Sequence, residues 1–172
     1  MSKLYTASNY KNTIINLFLT NKEFMALLGS EEQGQIFDYP FADETTSQEK
    51  TFVVVEADIE SIRQELFIDF NLYVYVFTSK NLVRITEDTI PSQIDVERMG
   101  YNVGQYGNRV DLLCDMADRI LNGTTDLKGI GNVKPAEKDF VTLYAPNHNY
   151  YGKRLKYQIS NYSEWKEPYG SE

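Results

Sequence analysis

Residues Arg63 to Thr78 read RQELFIDFNLYVYVFT, and this stretch decides the fold. Leu66, Ile68, Phe70, Leu72, Val74 and Val76 occupy one parity, with Glu65, Asp69 and Asn71 on the other, a period of two that specifies a strand with one buried face. At roughly 3.3 Å per residue the stretch reaches about 50 Å, whereas an ordinary strand has about five or six residues. That exceeds what one small core requires. The polar parity also turns aromatic at its end, in Tyr73, Tyr75 and Phe77. Both faces need cover there, from a helix of the same chain or from a neighbouring subunit.

Working outward, the upstream sequence predicts a helix over Ser8 to Leu28, because Ile14, Leu17, Phe18, Phe24, Leu27 and Leu28 recur at helical spacing and Gly29 follows as a terminator. A Thr20-x-x-Glu23 capping pattern inside it predicts a break into two pieces. Ile36 to Phe41 contains Pro40 and reads as a short edge strand in a long loop. Thr51 to Glu56 (TFVVVE) reads as a buried strand. Downstream, Leu82 to Ile85 is expected to return as a short strand. Thr89 to Gly107 carries Pro91, Gly100, Gly104 and Gly107 without a regular period and reads as an ordered contact loop. Asn108 should cap a second helix, with Asp111 in its first turn, a stripe of Val110, Leu113, Cys114, Ala117, Ile120 and Leu121, and Asn122-Gly123 at its end. Ile130 to Val133, Phe140 to Ala145 and Arg154 to Tyr162 read as strands, the last two joined by a wide turn over Pro146 to Gly152.

The chain has 172 residues, 42% hydrophobic and 24% charged, which suits one domain, 1–162, followed by an arm, 163–172. No run of eighteen apolar residues occurs, and MSKLYTASNYKN lacks the apolar centre of a secretory signal, so neither a membrane nor an exported protein is expected. The fold class is α+β: a mainly antiparallel sheet with two helices on one face, a long central strand and a C-terminal hairpin. Net charge is −8, and clustered cations for gripping nucleic acid are missing. Between Glu31 and Asp69 eleven acids face two cations, a balance of −9, while Lys128 to Lys156 carries +4. Opposite charges on one chain either neutralise each other within the subunit or join it head-to-tail to another copy.

The usual chemistries find little material. A single cysteine, Cys114, excludes an intramolecular disulfide, and it lies on the apolar stripe of the second helix. Gly129-Ile-Gly131 lacks both the third glycine and the lysine of a phosphate-binding loop. Asp111, Asp115 and Asp118 share a helix side that reads as a solvated face. His148, the only histidine, sits in a polar turn. Glu56, Asp58 and Glu60 share a parity and form the one carboxylate cluster available for acid–base work. No catalytic residue, cofactor or metal is expected. Thirteen tyrosines are a different matter, because tyrosine combines an apolar body with a wet hydroxyl and suits protein interfaces. Tyr73, Tyr75, Phe77, Tyr101, Tyr106, Tyr150 and Tyr151, with Lys153 and Arg154, are the candidate contact residues.

The long strand QELFIDFNLYVYVF, the helix NRVDLLCDMADRILNG and the segments GIGNVK and YYGKRLKYQISNY together resemble the tail-terminator (tail-to-head joining) proteins at the head–tail neck of bacteriophages, over Leu4 to Tyr162. The resemblance implies a virion structural protein assembled in the host cytoplasm as a homo-oligomeric ring, a hexamer. That ring would cap the tail tube and meet the neck or connector. It also implies an axial channel passing double-stranded DNA without specific binding, which an acidic lining of Asp43, Glu44, Glu49, Glu56, Asp58 and Glu60 would suit. Two other readings stand beside it: another neck or tail protein, for head closure or the tail tube, and a small-molecule-binding enzyme using Glu56, Asp58, Glu60 and His148.

Overall fold

The computed structural model describes residues 3–29, 36–38, 50–63, 67–86, 88–92, 94, 107–122, 133–135, 141–145 and 150–162. Ala7, Tyr10, Ile14 and Phe18 recur every three or four residues and form the buried stripe of α1 (Lys3–Thr20). The Thr20 hydroxyl turns back onto the Asn16 and Leu17 carbonyls at 2.9 and 3.0 Å. Asn21 then restarts the chain as the N-cap of α2 (Lys22–Leu28), its side-chain oxygen accepting from the Phe24 N–H at 2.9 Å. The expected break is therefore present, one residue later than the Thr20 pattern placed it, because Thr20 spends its hydroxyl on its own helix. Gly29 closes α2 at φ 88°, in the left-handed region that glycine enters without cost from a Cβ.

The strands are β1 (Ile36–Phe37), β2 (Thr51–Arg63), β3 (Phe67–Ser79), β4 (Val133–Pro135), β5 (Val141–Ala145) and β6 (Tyr150–Tyr162). They form one sheet in the order β1-β2-β3-β6-β4, with β5 on the same side of β6 as β4; only β1 pairs in parallel, with β2. The single sixteen-residue strand predicted over Arg63 to Thr78 is not formed. Arg63 ends β2 and pairs with Phe67, the first residue of β3, so the stretch contains the connection between two thirteen-residue strands. Alternation alone cannot distinguish a strand from the end of one and the start of the next. β2 in turn runs far past Glu56, because Ala57 and Ile59 keep the buried parity while Glu56 and Asp58 keep the outer one.

Leu82 to Ile85 do not return as a strand. Both edges of β3 are already taken as far as Ser79, by β2 and β6. The chain makes a 3-10 turn over Lys80–Leu82 and one isolated bridge, Arg84 to Asn108. That bridge pins the two ends of the predicted contact loop; the Ile85 N–H donates to the Gly107 carbonyl at 3.1 Å and the Arg109 N–H to the Val83 carbonyl at 2.7 Å. Asn108 caps α3 (Arg109–Asn122) as expected, accepting from the Val110 N–H at 2.9 Å. The C-terminal hairpin is tighter than predicted: Ala145 pairs with Tyr150, so Tyr150 to Gly152 belong to β6 and not to a turn. β4 begins at Val133, where the predicted strand ends. The arm over 163–172 lies outside the described residues.

The result is an α+β fold in which α1 lies over β2, α3 lies over β3 and β6, and α2 joins the two helices. Val53, Val55, Phe70, Leu72, Val74, Val76, Leu155, Tyr157 and Ile159 supply the sheet side of the core, and Tyr10, Ile14, Phe18, Phe24, Leu27, Val110, Leu113, Ala117 and Leu121 the helix side. Every sheet residue of this set comes from one parity of the pleat, which leaves the other parity on the opposite face.

Candidate functional site

Register fixes what shares that opposite face. Glu56, Tyr73 and Lys156 lie in one row across β2, β3 and β6; Val54, Tyr75 and Arg154 in the next; Phe52, Phe77 and Gly152 in the one after. On the other side of the Tyr73 row come Asp58, Asn71 and Gln158. Directly opposed residues point to the same side, so β3 contributes a central line of aromatic rings, β2 an acidic flank and β6 a basic one.

The rings touch. Phe52 stacks on Phe77 at 5.1 Å between centroids, meets Tyr150 edge-on at 5.4 Å and Phe37 at 6.2 Å. Tyr75 lies 6.4 Å from Phe77 and 6.2 Å from Tyr73. The Arg154 guanidinium and the Lys156 ammonium sit 5.4 and 5.9 Å from the Tyr73 ring centroid, within cation–π range. Phe77 occupies the space over Gly152, where a Cβ would lie 2.4 Å from its Cδ1. Phe52, Tyr73, Tyr75 and Phe77 are each only part-buried, and among the described residues no helix packs against them.

The acidic end of the face is built differently. The register between β2 and β3 shifts between Ile59 and Ser61, which makes Glu60 the extra residue of a bulge. Gln158 Nε2 donates to Glu60 Oε2 at 2.8 Å. β2 and β6 flank β3 and lie about 9.6 Å apart, so these two side chains meet above it. Under that bridge Asp69 and Asn71 are 8% and 7% exposed. Asp69 accepts from the Ser61 hydroxyl at 2.8 Å, while the Asn71 side-chain oxygen has no hydrogen-bond partner among the described residues. Glu56 reaches toward Lys11 of α1 at 3.6 Å around the edge of β2.

The predicted contact residues therefore divide. Tyr73, Tyr75, Phe77, Tyr150 and Arg154 come together on the face opposite α1 and α3. Tyr151 and Lys153 lie on the other side of the sheet: Tyr151 packs against the core, and Lys153 Nζ binds Asp111 of α3 at 2.7 Å. Asp111 raises the Lys153 pKa by accepting its proton in a hydrogen bond. Asp118 accepts from the Tyr157 hydroxyl at 2.9 Å, and burial, reinforced by this carboxylate, pushes the Tyr157 pKa up. Asp111 and Asp118 are thus clamps between α3 and β6, not merely a solvated face. Glu56, Asp58 and Glu60 share the aromatic face, whereas Tyr101, Tyr106, Asp43, Glu44, Glu49 and His148 lie outside the described residues. Phe52 and Lys156 escaped sequence reasoning; the parity of Phe52 against Val53 was visible, but its stacking on Phe77 needs the strand register.

Cys114 is buried among the apolar residues of α3, and burial raises its thiol pKa to about 12, which keeps it protonated and unreactive. Among the described residues no three His, Cys, Asp or Glu side chains are placed to hold a metal ion. None of the described helices is long and apolar enough to cross a membrane. No curated protein matches the chain. The model of the YomW family matches residues 3–159, from the start of α1 to Ile159 of β6. Since that match takes in nearly every element of the fold and the whole aromatic line of β3, the chain belongs to the YomW family, a family derived from Bacillus phage.

Proposed function

We propose that the protein is a non-enzymatic structural component of the phage virion, a tail terminator that closes into a homo-oligomeric ring on the tail tube and offers a surface to the neck. The observation that carries this reading is the face of the sheet opposite α1 and α3, where Phe52, Phe77, Tyr75 and Tyr73 form a connected line of part-buried rings. A run of large apolar side chains of this kind marks a surface that a partner covers. The phage derivation of the family supports a virion setting. The strands also outreach the helix layer: Ile62, near the end of β2, is 47% exposed although Val53 and Val55 on the same strand are fully buried. In this reading buried contact area is the protein's output, and DNA passes an acidic assembly without being held.

Negative-stain imaging of the protein added to tail tubes that lack a terminator tests it. Rings with a central hole are expected on the tube ends, and tube ends that stay bare overturn the reading.

A further inference from the structure

The face opposite α1 and α3 has a sidedness that suits one particular partner. Its β2 flank carries Glu56 and Asp58, its β6 flank carries Lys156 and Gln158, and these lie at matched heights on either side of Tyr73 and Asn71. A half-turn about an axis parallel to β3, lying just above the face, sets a second copy's β2 over β6 without displacing it along the strands. Glu56 then exchanges Lys11 for the second copy's Lys156, Lys156 faces its Glu56, Gln158 turns from Glu60 toward its Asp58, and Tyr73 and Tyr75 meet their own counterparts.

We propose that in the isolated protein this face is closed by a second copy of the chain, the two sheets packing face to face about a two-fold axis along β3. The proposal rests on reading the aromatic line as an assembly surface and names what covers it away from the tail. Sheets pack about 10 Å apart with strands nearly aligned, a separation that side chains of this length bridge from both sides. Each complementary contact occurs twice, as an isologous interface requires. Single-stranded nucleic acid, which also stacks on aromatic rings, fits less well. Arg154 and Lys156 share the face with Glu56, Asp58, Glu60 and Asp69, so the described residues form no positive groove there for a phosphate chain.

The experiment uses the full-length chain in size-exclusion chromatography with light scattering. A pair is expected for the wild type. Glu56→Lys and Lys156→Glu, each acting twice per pair, are expected to weaken pairing by about tenfold, and the two changes combined restore it. Circular dichroism on each variant verifies that the fold is intact. The symmetry adds an independent arm: Tyr75→Cys should give a covalent pair with a short bis-maleimide, and Asn12→Cys, exposed on α1, should not. Failure of the double variant to restore pairing, or of Tyr75→Cys to cross-link, overturns the proposal. So does capture of an oligo-dT strand by the wild type that Lys156→Glu abolishes. Pairing in solution that is unchanged in both single variants overturns the proposal whether or not rings form on tube ends, whereas charge-dependent pairs of a protein that never caps a tube overturn only the tail-terminator reading.

Discussion

A Cβ on Gly152 would lie 2.4 Å from Phe77 Cδ1 and 2.7 Å from the Val76 carbonyl oxygen, and the second neighbour is backbone that cannot rotate away. Gly152→Ala is expected to cost about 1–3 kcal/mol through overpacking, measured by urea unfolding, and Phe77→Leu in the same chain should recover part of it. Cys114 gives a pH signature. Its thiol is held at about 12 in the fold against 9.0 as a free group, so the unfolded chain loses this proton first. The associated stability is complete below pH 9 and disappears as pH rises toward about 12, at about 1.4 kcal/mol per unit. Tyr157 and Lys153, also raised, add to the alkaline loss above their ordinary values of 10.0 and 10.5. The urea midpoint should therefore be flat up to pH 9 and fall beyond it. In Cys114→Ala the fall should begin nearer pH 10.

The helices are held by contacts between distant segments. Arg109 Nη1 donates to the Leu27 carbonyl at 2.6 Å and Nε to the Leu82 carbonyl at 3.0 Å, so one guanidinium ties the end of α2, the 3-10 turn and the start of α3. A lysine has one nitrogen and cannot reach both carbonyls in that geometry. Arg109→Lys should cost about 1.5–3 kcal/mol, read as a lower melting temperature. Asn21→Ala, which removes only the cap of α2, should cost about 1 kcal/mol. The cap residues Asn108 and Gly29 were legible because capping is local chemistry. The 27- and 82-residue separations of the Arg109 contacts left no local trace. Similarly, the β2–β3 connection was hidden inside an unbroken alternation, since a register needs two strands to define it.

Across the molecule, one face of the sheet is closed by helices and the other carries the aromatic line. If a second copy covers that line, folding and association are linked, and the melting temperature must rise with protein concentration. Calorimetry over a hundredfold range of concentration checks this; an unchanged transition counts against assembly through the sheet. The same measurement on Tyr73→Ala combined with Tyr75→Ala should show the dependence weakened, while the low-concentration melting temperature falls little because neither ring belongs to the core.

The order of apolar and polar residues was enough, by itself, to determine an α+β chain with a mainly antiparallel sheet, two capped helix termini, a buried inert cysteine and aromatic side chains on the second parity of β3. These follow from periodicity and from chemistry between near neighbours. Only the tertiary structure decided that Tyr73 and Tyr150 share a face while Tyr151 and Lys153 lie on the opposite one, that Glu60 and Gln158 bridge over Asn71, and that Asp111 and Asp118 clamp α3 to β6. Each of these depends on which strands pair and at what register, and a slip of one residue would turn every side chain of a strand to the other side.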